Sequence, residues 1–269
     1  MRVPFIKMHG LGNDFVVLDG RNDPVPQITS RIAAALADRN TGIGCDQLIA
    51  LAPSDTADFR MRIYNADGSE VGACGNATRA VALLHGSEAR IETAGGILYA
   101  SPTDGGASVD MGAPRFEWDA IPLAYPMDTL AMPVAWDELA EPGAVDVGNP
   151  HVIFFVDDVD AISLERLGPK IENDPLFPER VNVNVAAVEG HDRIRLHVWE
   201  RGAGLTRACG TGACATAVLA IRRKLVDSPV TVSLPGGELE IDWKPGETIR
   251  MTGPATESFR GDFEWDDFA

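Results

Sequence analysis

The chain has 269 residues, 23 basic and 40 acidic, for a net charge of −17, and 45% of them are hydrophobic. Such acidity argues against a surface for nucleic-acid phosphates or an anionic membrane, and no apolar run reaches the roughly 20 residues that a bilayer span needs. Met1 to His9 has no signal-peptide character, so a cytoplasmic protein acting on a small polar substrate is expected.

Phe5 to Met8, Phe15 to Leu18, Leu48 to Leu51 and Phe59 to Tyr64 read as short strands separated by Gly, Asn, Asp and Pro. Between them, Ile28 to Ala37 reads as a helix that Thr29 or Ser30 can cap, with Ile32, Ala35 and Leu36 as its apolar stripe. Ala66-Asp67-Gly68-Ser69 is a turn. Cys74 follows it, and Ala77, Ala80, Val81 and Leu84 then recur at helical spacing up to Gly86. Pro114 to Gly143, rich in Pro and Trp, is expected to hold a junction. Ile194 to Trp199 is a strand, and Gly210 to Arg223 a helix whose alanines blur its stripe. Val230 to Leu234, Leu239 to Trp243 and Thr248 to Thr252 are further strands.

Parts of this order occur twice. Cys74 and Cys209 are 135 positions apart, each in an Ala-Cys-Gly context, and Asn65 and Glu200 each precede a cysteine by nine residues. Gln47 and Asn182 keep the same 135-residue offset, while Gly12-Asn13-Asp14 is echoed by Gly148-Asn149-Pro150 at 136. A repeat this long marks a duplicated domain rather than a solenoid, whose periods are about 20–50 residues. The expected fold class is therefore α+β, with two pseudo-symmetric lobes, each a mixed sheet or barrel wrapped around a central helix, and a site in the cleft between them. Residues 1–115 would carry Cys74 and residues 116–269 Cys209, with the last strand able to pack back on the first lobe.

Of the four cysteines, Cys45 and Cys214 lack a matching partner and read as structural. The absence of a C-x-x-C pair and the scatter of the histidines argue against a metal. A lone cysteine is most often a small buried hydrophobe, yet two in register at helix starts point to chemistry. There a thiol meets unpaired backbone N–H groups and the positive end of the helix dipole, which can lower its pKa. The amides of Gly75, Asn76, Gly210 and Thr211 could grip a carboxylate. One thiolate would then remove an α-proton while the other thiol supplies one from the opposite face, giving racemisation or epimerisation.

These residues resemble the diaminopimelate epimerase family through Lys7-Met8-His9-Gly10-Leu11-Gly12-Asn13-Asp14-Phe15, Asn65-Ala66-Asp67-Gly68-Ser69-Glu70, Cys74-Gly75-Asn76, and Glu200-Arg201-Gly202-Ala203-Gly204 through Cys209-Gly210-Thr211-Gly212. The resemblance implies a cofactor-independent epimerase that interconverts LL- and meso-diaminopimelate for lysine and cell-wall synthesis. It implies Cys74 and Cys209 as the acid/base thiols, with His151 and Glu200 as a supporting pair. Asn13, Gln47, Asn65, Asn149, Asn182, Glu200 and Arg201 would bind the rest of the substrate, Arg201 taking the distal carboxylate because a guanidinium matches it bidentately. A homodimer is implied too, with Phe259 where the family often has a tyrosine at the dimer contact. Ala77-Thr78-Arg79-Ala80 departs from the family's commoner glycine-alanine-arginine-cysteine run. Two rivals stand beside this reading: a proline or hydroxyproline racemase, and a silent module that clamps a dipolar ligand.

Overall fold

The computed structural model describes Met1–Phe268. It divides into two compact units, Met1–Val109 with the stretch from Gly253 onward, and Asp110–Thr252. This division differs from a cut at 115/116: residues 110–115 belong to the second unit and the final strand to the first. The final strand, Thr256–Glu264, is antiparallel to the opening strand Arg2–Gly10, from Arg2 opposite Glu264 to His9 opposite Thr256, and this ladder ties it to the first unit. Pro114 to Gly143 packs within the second unit. It is largely irregular, and it contributes Ile121, Leu123, Met132 and Leu139 to that unit's core.

The duplication is explicit in the pairing order. In the first unit, Arg2–Gly10 runs antiparallel to Asn13–Asp19, which is parallel to Gln47–Ala52, which is antiparallel to Phe59–Asn65, which is parallel to Ala89–Thr93. The second unit repeats antiparallel, parallel, antiparallel, parallel through Gly143–Asp146, Pro150–Phe155, Asn182–Val188, Arg193–Glu200 and Val230–Leu234. Parallel neighbours need a crossover. In the first unit, α1 (Ser30–Ala37) makes one crossover and α2 (Gly75–His85) the next; in the second, α3 (Leu164–Glu172) and α4 (Gly210–Arg222) do the same.

Local chemistry sets the ends of these helices. The Thr29 hydroxyl accepts from Ile32 N and caps α1. Gly86 ends α2 in the left-handed conformation, its N–H bonded to Ala82 O. Gly68, with φ +83°, closes the turn before α2, and any Cβ there would stand 2.0 Å from Ser30 O. α4 is buried on nearly every side, from Gly212 through Ala220. Small residues around the whole circumference let a sheet wrap the helix closely, which is why its alanines show no clean stripe. The short α3 buries Leu164, Leu167 and Ile171 along one face, but Pro169 inside it reads in the sequence as a helix breaker.

Candidate active site

In the first unit, Cys74 is the N-cap of α2, in extended backbone, and is partly exposed. Its Sγ lies 3.9 Å from Asn13 Oδ1. Asn76 Nδ2 donates to that same oxygen at 3.2 Å, and Arg79 donates to Asn76 Oδ1 at 2.7 Å. Arg79 is fully buried inside the helix, so it holds Asn76 from below. Asn13 is fixed on its other side by Asp46 Oδ2 at 2.9 Å. Beside it, burial raises the Asp14 pKa, but hydrogen bonds from Arg39 and Lys7 outweigh this and bring it to about 2, so Asp14 anchors the loop as an anion. Gln47 and Asn65 meet across neighbouring strands, Nε2 to Oδ1, at 3.0 Å.

The second unit places Cys209 in the same way, as the N-cap of α4. Its Sγ accepts from Gly212 N at 3.3 Å, lies 3.5 Å from Thr211 Oγ1, and donates to Glu200. Thr206 Oγ1 also donates to Glu200, at 2.6 Å. Asn182 is clamped between strands and loop: its Nδ2 donates to Pro150 O and its Oδ1 accepts from Arg201 N, each at 2.9 Å. The Arg201 guanidinium donates to Glu179 O at 3.0 Å. Arg201 and Asn149 line one open pocket of this unit, together with Arg115, Asp119, Asp146 and Glu179. His151, fully buried, sits between Asn149 and Asn184.

The first intrahelical bonds run from Thr78 N to Cys74 O and from Ala213 N to Cys209 O. The amides of Gly75, Asn76, Gly210 and Thr211 thus precede each helix's own ladder and stay available to an anion. Electrostatics depart from the helix-dipole expectation at Cys209. Burial, reinforced by the Glu200 carboxylate, pushes its pKa well above 9.0 despite bonds from Thr211 and Gly212. Desolvation here outweighs the dipole. Burial likewise raises Glu200 and lifts Cys45 to about 11, and it drives His151 down to about 3, leaving a neutral imidazole. Among the described residues, no cluster of three or more His, Cys, Asp or Glu is placed to hold a metal.

Thus each unit carries its own share of the expected residues: Asn13, Gln47, Asn65, Gly75 and Asn76 lie in the unit of Cys74, and Asn149, His151, Asn182, Glu200, Arg201, Gly210 and Thr211 in that of Cys209. Phe259 lies apart on the final strand, about half exposed and edge-on to Phe5 at 6.0 Å between ring centroids. The sequence did not single out Arg79, Asn184 or Glu172. The last is a buried carboxylate bonded to Trp199 Nε1, Gly202 N and Arg180 that pins the loop after Glu200. An arginine at the buried end of an alanine stripe, and a second asparagine two residues after Asn182 on one strand face, were the available signals.

The fold is shared with proteins of distant sequence. A phenazine biosynthesis protein of the PhzF family from Enterococcus faecalis superposes with a TM-score of 0.70 at 14% identity, over 98% of this chain and 100% of that one. The sequence itself is more specific. It matches the family described as diaminopimelate epimerase over residues 5–117 and 143–257. It is 65% identical to the diaminopimelate epimerase of Erythrobacter litoralis strain HTCC2594 over 100% of both chains. It is 67% identical to that of Rhizorhabdus wittichii over 96% of this chain and 94% of the relative. The chain belongs to the diaminopimelate epimerase family, a family of isomerases.

Proposed function

We propose that this chain, as a diaminopimelate epimerase of lysine biosynthesis, interconverts LL- and meso-diaminopimelate without a cofactor, Cys74 and Cys209 serving as the two acid/base groups. The observation that carries this is the matched placement of both thiols as N-caps of buried helices, each followed by unladdered amides. The reacting carboxylate is taken by the amides of Gly75, Asn76, Gly210 and Thr211, which also stabilise the negative charge that develops when the α-proton leaves.

In the direction that uses Cys209 as acid, the Cys74 thiolate takes the α-proton, breaking C–H and forming S–H. The Cys209 thiol then gives its proton to the opposite face and becomes a thiolate, held by Gly212 N–H. The proton count is unchanged and the configuration is inverted; the reverse direction exchanges the roles. The resting state of Cys209 supports its assignment as acid, because burial and Glu200 keep it protonated. Arg201 takes the distal carboxylate. Glu200 takes the distal ammonium, and Asn13, Gln47, Asn65, Asn149 and Asn182 complete the polar lining, with His151 and Glu200 supporting the chemistry. The protein works in the cytoplasm as a homodimer joined around Phe259. A monomer by light scattering, or a Phe259→Asp variant that stays dimeric, would count against that last assignment.

The test is NMR of LL-diaminopimelate with the reduced protein in deuterated buffer, with L-proline in parallel. Deuterium at one α-carbon together with the meso isomer is the expected result. Exchange in proline alone would move the activity to the racemase relatives, and exchange in neither would favour ligand binding without turnover.

A further inference from the structure

Asn182 and Asn184 lie two residues apart on one strand, hence on one face, and both are buried. Asn184 Nδ2 donates to Val152 O at 3.0 Å, lies 3.4 Å from Asn182 O, and stands 3.1 Å from His151 Nδ1. Backbone carbonyl oxygens only accept, so these two neighbours fix which end of the Asn184 amide is the nitrogen. One N–H serves Val152, and the other faces the imidazole. His151 Nδ1 must therefore carry a lone pair, which places the ring hydrogen on Nε2.

Nε2 lies 3.0 Å from Asn149 Oδ1, so a donor meets an acceptor. Asn149 is left with Nδ2 as its own donor, in a residue that lines the open pocket shared with Arg201. On its far side, Asn184 Oδ1 is buried without a hydrogen-bond partner, and a Cβ at Gly212 would stand 2.7 Å from it. The amide is thus wedged between His151 and the first turn of α4. An apolar residue would leave no orphaned oxygen there, so a polar side chain kept at this cost points to a task beyond packing.

We propose that Asn184 is a positioning residue for the epimerisation: its amide holds His151 in the Nε2–H form, and His151 in turn fixes Asn149 with its amide nitrogen offered to the substrate. The second step rests on the reading above that Asn149 binds diaminopimelate; the first does not.

The experiment uses the whole protein labelled with ¹⁵N-histidine and a long-range ¹⁵N–¹H correlation, with His151 assigned by its loss in His151→Asn. The unaltered protein should show a pyridine-type Nδ1 and a protonated Nε2. In Asn184→Asp, whose carboxylate only accepts, Nδ1 should gain a proton. In Asn184→Leu, which lacks the donor, KM for diaminopimelate should rise roughly tenfold while kcat falls less, as expected when a binding contact is loosened. An Nδ1–H or doubly protonated His151 in the unaltered protein would overturn the lock, whether or not either variant folds. So would an unchanged pattern in Asn184→Asp. A reversed pattern with KM unmoved in Asn184→Leu would overturn the link from His151 to Asn149.

Discussion

Cys74 and Cys209 share a sequence context, a backbone conformation and a place at the start of a buried helix, yet their surroundings differ. Cys74 is partly exposed, caps no amide of its own helix, and neighbours the amide oxygen of Asn13. Cys209 is 4% exposed, accepts from Gly212 N, and faces a carboxylate. Their supports differ as well. Below Cys74 lies a buried cation, Arg79; behind Cys209 lies a neutral chain, Asn184 to His151 to Asn149. Duplication fixed the frame, while desolvation set the protonation state at Cys209. A helix N-terminus lowers a thiol pKa only where water or a counter-charge lets the anion form.

Four measurements test that asymmetry. The largest effect belongs to the thiols themselves. Cys74→Ser and Cys209→Ser should each lose about 10²- to 10⁴-fold in epimerisation, the usual span for a general acid or base, with unchanged circular dichroism. Near-normal turnover in either variant would break the two-thiol scheme. Next, alkylation by iodoacetamide followed by peptide mass spectrometry should label Cys74 at least about tenfold faster than Cys209, because the reactive species is an accessible thiolate. Faster labelling of Cys209 would reverse the assignment of resting states.

A smaller effect is expected from Arg79→Met, which strands Asn76 Oδ1 in the first unit. Denaturant unfolding should show a loss of about 1–3 kcal/mol, the range for an orphaned buried acceptor; no loss would mean that the interior cation does not support that half.

The smallest is Glu200→Gln in the second unit. Burial raises the Glu200 pKa above 4.5, so the folded state holds this proton more tightly than the unfolded chain does. Its stabilising contribution is complete below the unfolded value and is lost as pH rises through the folded one. At neutral pH the carboxylate is therefore a cost. The glutamine variant should melt higher at pH 7, by about 2–4 °C for each kcal/mol relieved, and the gain should vanish near pH 4 while activity falls at pH 7. A gain that persists at low pH would refute this origin.

The sequence carried the duplicated frame because its repeat preserved polar positions rather than apolar ones. Gln47, Asn65, Asn182 and Glu200 stayed in register, and the strand and helix around each cysteine followed from short-range periodicity. What stayed hidden depends on distant partners. Arg79 reads as an ordinary helix arginine until burial places it under Asn76, and Asn184 reads as a strand asparagine until Val152 and His151 close on it. The Cys209 shift was illegible for the same reason: the helix start is local, but the burial that outweighs it exists only once the unit has folded. The unit boundary was obscured because the chain returns to its first unit only after completing the second.

That return constrains how the protein is made. The strand Arg2–Gly10 has Asn13–Asp19 on one side and Thr256–Glu264 on the other, so it leaves the ribosome with one partner at hand and the other not yet translated. Throughout synthesis of residues 110–252, this early strand presents an unpaired edge, a template for pairing with the wrong chain. The second unit is one continuous stretch of chain, whereas the first is complete only once the final strand has been made. Nascent chains stalled before Thr256 would be the aggregation-prone species, and a chaperone that shields a bare strand edge would act in that interval.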